Sequence, residues 1–79
     1  MKLPRDISSR ELIVHLKKYG YEVTRQKGSH IRLVTFFEGE HHITVPNHNS
    51  IKLGTLSGII TDVAAHFNKT KAEIINELF

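Results

Sequence analysis

An α+β domain of order α-β-β-β-α, closed by a further short helix, is the fold class the sequence predicts, and three observations carry it. A capping signature, Ser8-Ser9-Arg10-Glu11, precedes apolar residues at helical spacing. Between Tyr21 and Pro46, β-branched and aromatic residues alternate with polar ones, and from Leu56 to Phe67 the apolar residues return to a single helical stripe. Alternation leaves one face of the three-stranded antiparallel sheet polar, so the helices must share the other. With 79 residues the chain is one domain, 1–79. A chain this short buries only about 60% of its unfolded surface.

The elements follow in order. In the first helix, expected over about 9 to 19, the Ser8 hydroxyl and Glu11 carboxylate each satisfy an otherwise unpaired N–H. Leu12, Ile13, Leu16 and Tyr19 supply its apolar stripe, and Gly20 stops it in the left-handed conformation. Lys17 and Lys18 suit the negative end of its dipole. Tyr21 to Gln26 alternates with Tyr21 and Val23 inward. Ser29 to Phe37 forms the second strand, with Ile31 and Leu33 inward and His30 and Arg32 on the open face. Phe36 and Phe37 cannot both keep that phase, so one is exposed or a bulge intervenes.

Glu38-Gly39-Glu40 reads as a three-residue hairpin loop, followed by a third strand, His41 to Pro46, with Ile43 and Val45 inward. That loop length sets Leu33 opposite Val45 and His30 opposite His48. Matching Val23 to Leu33 in the first hairpin then calls for an odd loop such as Lys27-Gly28-Ser29. The second helix opens at Gly54 and carries Leu56, Ile59, Ile60, Val63, Ala64 and Phe67 inward. After a break near Asn68, Thr70-Lys71-Ala72-Glu73 caps a last helix through Ile74, Ile75 and Leu78.

Composition narrows the chemistry. Without cysteine there is no disulfide framework and no thiolate nucleophile or metal ligand, which favours a reducing, cytoplasmic setting. Met1 to Asp6 lacks the apolar stretch of a signal peptide, and no segment approaches the roughly 20 apolar residues that span a bilayer. The net charge is +3 and unevenly spread. Residues 1 to 34 hold eight Lys or Arg against Asp6, Glu11 and Glu22, whereas residues 35 to 79 hold three against five acids. One basic face suits a partner made of phosphates; a solvated basic surface without a partner is the plainer alternative.

Three short motifs in order, Gly28-Ser29-His30, Val45-Pro46-Asn47-His48 and Gly54-Thr55-Leu56, resemble those of the HicA toxins of prokaryotic toxin–antitoxin systems, also described as YcfA-like proteins. The resemblance covers residue 8 to about residue 66. It implies a fold similar to the double-stranded RNA-binding domain. It also implies an mRNA-cleaving toxin, an endoribonuclease, silenced by a HicB-type antitoxin; cleavage without a metal and a toxin that is a monomer alone or a hetero-oligomer with that antitoxin are the expectations set beside it. In the family the histidine of the Gly-Ser-His motif is catalytic, which carries over to His30.

The residues themselves support that chemistry. Histidine exchanges protons near neutral pH because its ordinary pKa is about 6.5, and His30 follows a glycine turn on the polar face with Arg25, Lys27 and Arg32 nearby in sequence. An exposed structural histidine is the bland reading of the same residue. His48, opposite His30 in the expected register, is a candidate second proton carrier or phosphate ligand, or simply a turn residue. Arg25, Lys27, Ser29, Arg32 and Lys52 are the RNA-binding candidates; Lys52 precedes a helix N-terminus that offers N–H groups to a phosphate. His42 shares the open face farther along. His15 and His66 read as packing-edge residues. No metal or other cofactor is expected, since adjacent His41 and His42 face opposite sides of a strand and Glu38 and Glu40 lack ligand spacing. A non-catalytic RNA-binding module is the alternative function, and a protein-interaction domain using Phe36 and Phe37 a weaker one.

Overall fold

The computed structural model describes residues 3–79; Met1 and Lys2 of the N-terminal segment lie outside the described residues. Helix α1 spans Ser9–Leu16 and tightens into a 3-10 turn, Lys17–Tyr19. Strands β1 (Glu22–Lys27), β2 (His30–Thr35) and β3 (His41–Pro46) follow, then α2 (Leu53–Phe67) and α3 (Lys71–Leu78). The sheet is antiparallel with strand order β1-β2-β3. Both capping boxes form, Ser8 with Glu11 and Thr70 with Glu73. Gly20 ends the first helix at φ 80°, and a side chain there would also collide with the Phe37 ring. Asn68 makes the left-handed break between α2 and α3.

The inward faces of β2 and β3 present Ile31, Leu33, Ile43 and Val45 to Leu12 and Leu16 of α1, Leu56, Ile60 and Val63 of α2, and Ile74 and Leu78 of α3. Helices cover one face, and the other is open and mainly polar, with Val34 buried between Glu22 and His42. This is the α-β-β-β-α order that the sequence patterns predict, in the double-stranded RNA-binding-domain-like arrangement that the resemblance implies.

Three local expectations are corrected. The β2–β3 hairpin loop has five residues, 36 to 40, because Thr35 turns inward and is captured: its hydroxyl donates to the Tyr19 carbonyl at 2.7 Å and accepts from the Phe37 N–H at 3.1 Å. Leu33 therefore pairs with Ile43 rather than Val45, and Pro46 rather than His48 stands opposite His30. A slip of two residues keeps every side chain on its face and changes only its neighbours, so hydrophobic pattern alone does not resist it. Second, the β1–β2 loop is the two residues Gly28-Ser29, and Val23 still meets Leu33 because a bulge at Thr24 absorbs the difference. Third, Val23 is 47% exposed, on an edge strand that the helices leave uncovered. Phe36 and Phe37 are both exposed, since β2 ends before them.

Candidate active site

Two backbone features gather the candidate residues. Gly28, at φ 57°, occupies the first central position of the β1–β2 turn, where a tight hairpin needs positive φ. It therefore delivers His30 at the very start of β2. The bulge at Thr24 is the second feature. Its hydroxyl donates to the Arg32 carbonyl at 3.3 Å, and the added residue changes the phase of β1. Tyr21 stays buried beneath the helices, while Arg25 and Lys27 come out on the open face beside Arg32 and His30, their partners across the ladder.

Arg25, Lys27, Ser29, His30 and Arg32 line one shallow cavity of about 620 Å³, together with Gly28 and Thr44. Thr44 escaped the sequence reading; its signal was parity, because it lies opposite Arg32 in the register that forms. The turn is braced from the far side, where the Asn47 N–H donates to the Ser29 carbonyl at 2.7 Å and the Ser9 hydroxyl donates to the Asn47 side chain at 3.2 Å. Hydrogen bonds to imidazoles fall on His41, His42 and His66. His30 is exposed and stands apart from them. Three cations around a histidine whose ring has no hydrogen-bond partner among the described residues make a pocket that suits a phosphate next to a group able to exchange a proton.

The other candidates lie outside this cavity. His48 sits in the loop after β3, its carbonyl accepting from the Ser9 N–H at 3.0 Å, and does not line the pocket. Lys52 is the N-cap residue of α2, exposed and also outside the pocket. His42 faces the open side two rows from His30, its Nε2–H donating to Glu40 at 2.6 Å. His15 packs edge-on against Phe79.

A second polar cluster forms at the other end of the sheet. Asp62 can only accept, so His41 donates to it from Nε2 at 3.2 Å, which leaves Nδ1 to accept from the buried Tyr21 hydroxyl at 2.6 Å. Burial, and then the charge of Asp62, push the Tyr21 phenol above its usual range. His66 stacks on His41 with centroids 4.4 Å apart and donates to the Phe37 carbonyl at 2.9 Å. Parallel rings aim their nitrogens side by side rather than at one point. Among the described residues no three histidine or carboxylate groups converge as a metal site.

The family model described as the HicA toxin of bacterial toxin–antitoxin matches residues 9–64, from the first residue of α1 into α2. The chain belongs to the HicA toxin family. No curated protein and no solved structure matches it. HicA membership makes this chain the toxin of a toxin–antitoxin pair and implies an antitoxin partner. The matched span contains every residue of the His30 cavity and stops before α3. That last helix is integrated all the same. Ile74 and Leu78 are fully buried, Lys18 Nζ donates to the Leu78 carbonyl at 2.9 Å at the end of α3, and the Tyr19 hydroxyl bonds Glu77. Lys18 thus serves the dipole of α3 as well as that of its own helix.

Proposed function

We propose that this toxin is an endoribonuclease that cleaves mRNA by metal-independent proton transfer at His30, and that a HicB-type antitoxin silences it. The observation that carries the reading is the convergence of His30 with Arg25, Lys27 and Arg32 in one open cavity. In the reaction His30 exchanges a proton with the reacting oxygens. The 2′-oxygen bonds to phosphorus as its proton leaves, the bond from phosphorus to the 5′-oxygen breaks, and that oxygen takes up a proton. The products are a 2′,3′-cyclic phosphate and a 5′-hydroxyl. Arg32 and Lys27 stabilise the charge that builds on the phosphorane oxygens, a role suited to cations fixed beside a phosphate. Such a surface is silenced most simply by an acidic antitoxin segment laid over His30.

The test is incubation of wild-type and His30→Ala protein with a long unstructured RNA in EDTA, with products resolved on a denaturing gel. Cleavage by the wild type alone is expected, with cyclic phosphate ends. Intact RNA in both lanes, with binding retained, would make the chain a non-catalytic RNA-binding module instead.

A further inference from the structure

The open face of the sheet is laid out in three rows across the strands. The first holds Lys27, His30 and Pro46, the second Arg25, Arg32 and Thr44, and the third Glu22, Val34 and His42. Alternate residues on a strand are about 6.6 Å apart, comparable to the step between successive phosphates of an extended nucleic-acid strand. The first two rows carry all three cations of the cavity. In the third row the charge reverses, since Glu22 faces outward and His42 is paired with Glu40 at 2.6 Å. A polyanionic backbone is attracted by two rows and repelled by the third.

Reaction geometry fixes which kind of RNA can use this track. Attack by the 2′-oxygen needs that oxygen in line with the leaving 5′-oxygen through phosphorus. An A-form duplex holds it off that line, whereas a single strand is free to reach it.

We propose that the site takes one single RNA strand lying along β2, with the reactive phosphate at the Lys27–His30 row and reached by Arg32 from the next row, its neighbour held by Arg25, and no phosphate held beyond. The inference rests on the nuclease reading and adds the substrate's form and footprint. The bulge at Thr24 is what permits it, because it is the phase change in β1 that places Arg25 above the second phosphate. Thr44 closes that row on the β3 side and offers its hydroxyl to the nucleotide between the two phosphates.

The test is binding of single-stranded oligoribonucleotides of increasing length to the His30→Ala protein over a salt series, with parallel cleavage by the wild type. Each phosphate contact on a single strand contributes about −0.7 to the slope of log K against log salt. Two contacts predict a slope of about −1.4 that stays constant once the oligomer exceeds three nucleotides. Arg25→Ala should halve it, and the matching duplex should bind more weakly. No binding at low ionic strength, a slope that steepens with length, an unchanged slope in Arg25→Ala, or preference for the duplex would each overturn the footprint. If the wild type cleaves while the slope grows with length, the footprint fails and the nuclease stands. If the slopes are as expected and no RNA is cleaved, the nuclease reading fails and the two-phosphate track remains.

Discussion

At the β1–β2 turn His30 stands exposed among three cations with no partner for its ring among the described residues, whereas at the opposite end of the sheet His41 is held on both nitrogens, by Tyr21 and Asp62, and covered by the stacked ring of His66. Both residues open strands of the same three-stranded sheet. They differ in what surrounds them. A ring whose nitrogens are already engaged joins strand to helix and has no lone pair or proton to spare for a substrate. A ring left free beside fixed positive charge is available for chemistry. The fold thus separates the two ends of the sheet, with packing and hydrogen bonding at the His41 end and an open, cation-lined cavity at the His30 end.

Several changes would break or sharpen this contrast. The largest expected effect is on the reaction: His30→Ala should lower the cleavage rate by roughly 10²–10⁴-fold, the usual worth of a positioned proton carrier. Next comes the core that α3 completes. Ile74→Ala removes a fully buried side chain and should cost about 2–5 kcal/mol in a denaturant titration, with the chemistry of the remaining folded molecules intact. Tyr21→Phe deletes the hydroxyl that serves His41 and should cost about 0.5–1.5 kcal/mol, measured the same way and again without change in the rate per folded molecule.

A smaller effect concerns the helix caps. Glu11 and Glu73 have their pKa values lowered below 4.5, first by the capping N–H of Ser8 or Thr70 and then by its hydroxyl. Their contribution is therefore present above that value and is lost as pH falls through the lowered folded ones. The melting temperature should decline on that acid limb, and Glu11→Gln with Glu73→Gln should flatten the decline. Smallest of all is His48→Ala, which should leave cleavage nearly unchanged because His48 lies outside the cavity; a loss as large as that of His30→Ala would return it to the chemistry.

Much of the fold was legible because the deciding interactions are local. The Ser8–Glu11 and Thr70–Glu73 boxes, the stop at Gly20 and the break at Asn68 each depend on residues within one turn of helix. The inward set Ile31, Leu33, Ile43 and Val45 follows from parity alone. What escaped was set by contacts between distant residues. The capture of Thr35 by the Tyr19 carbonyl lengthened the hairpin loop and moved His48 away from His30. The bulge at Thr24 could not be read from alternation, since a run can satisfy Tyr21 inward or Lys27 outward but needs the added residue to do both. The Tyr21–His41–Asp62 bridge joins three elements and leaves no mark at any fixed spacing. In the site, His30 and its cations were readable from the Gly28 turn and local charge, whereas Thr44 required the true register.

The division between the two ends is tested most directly by one paired measurement: thermal melting and RNA cleavage of His30→Ala and His41→Ala, with cleavage assayed well below both transitions. The account predicts that His30→Ala melts like the wild type and does not cleave, while His41→Ala melts lower and cleaves at the wild-type rate per folded molecule. A well-folded His30→Ala protein that still cleaves, or a His41→Ala protein that keeps its melting temperature and loses cleavage, would contradict it.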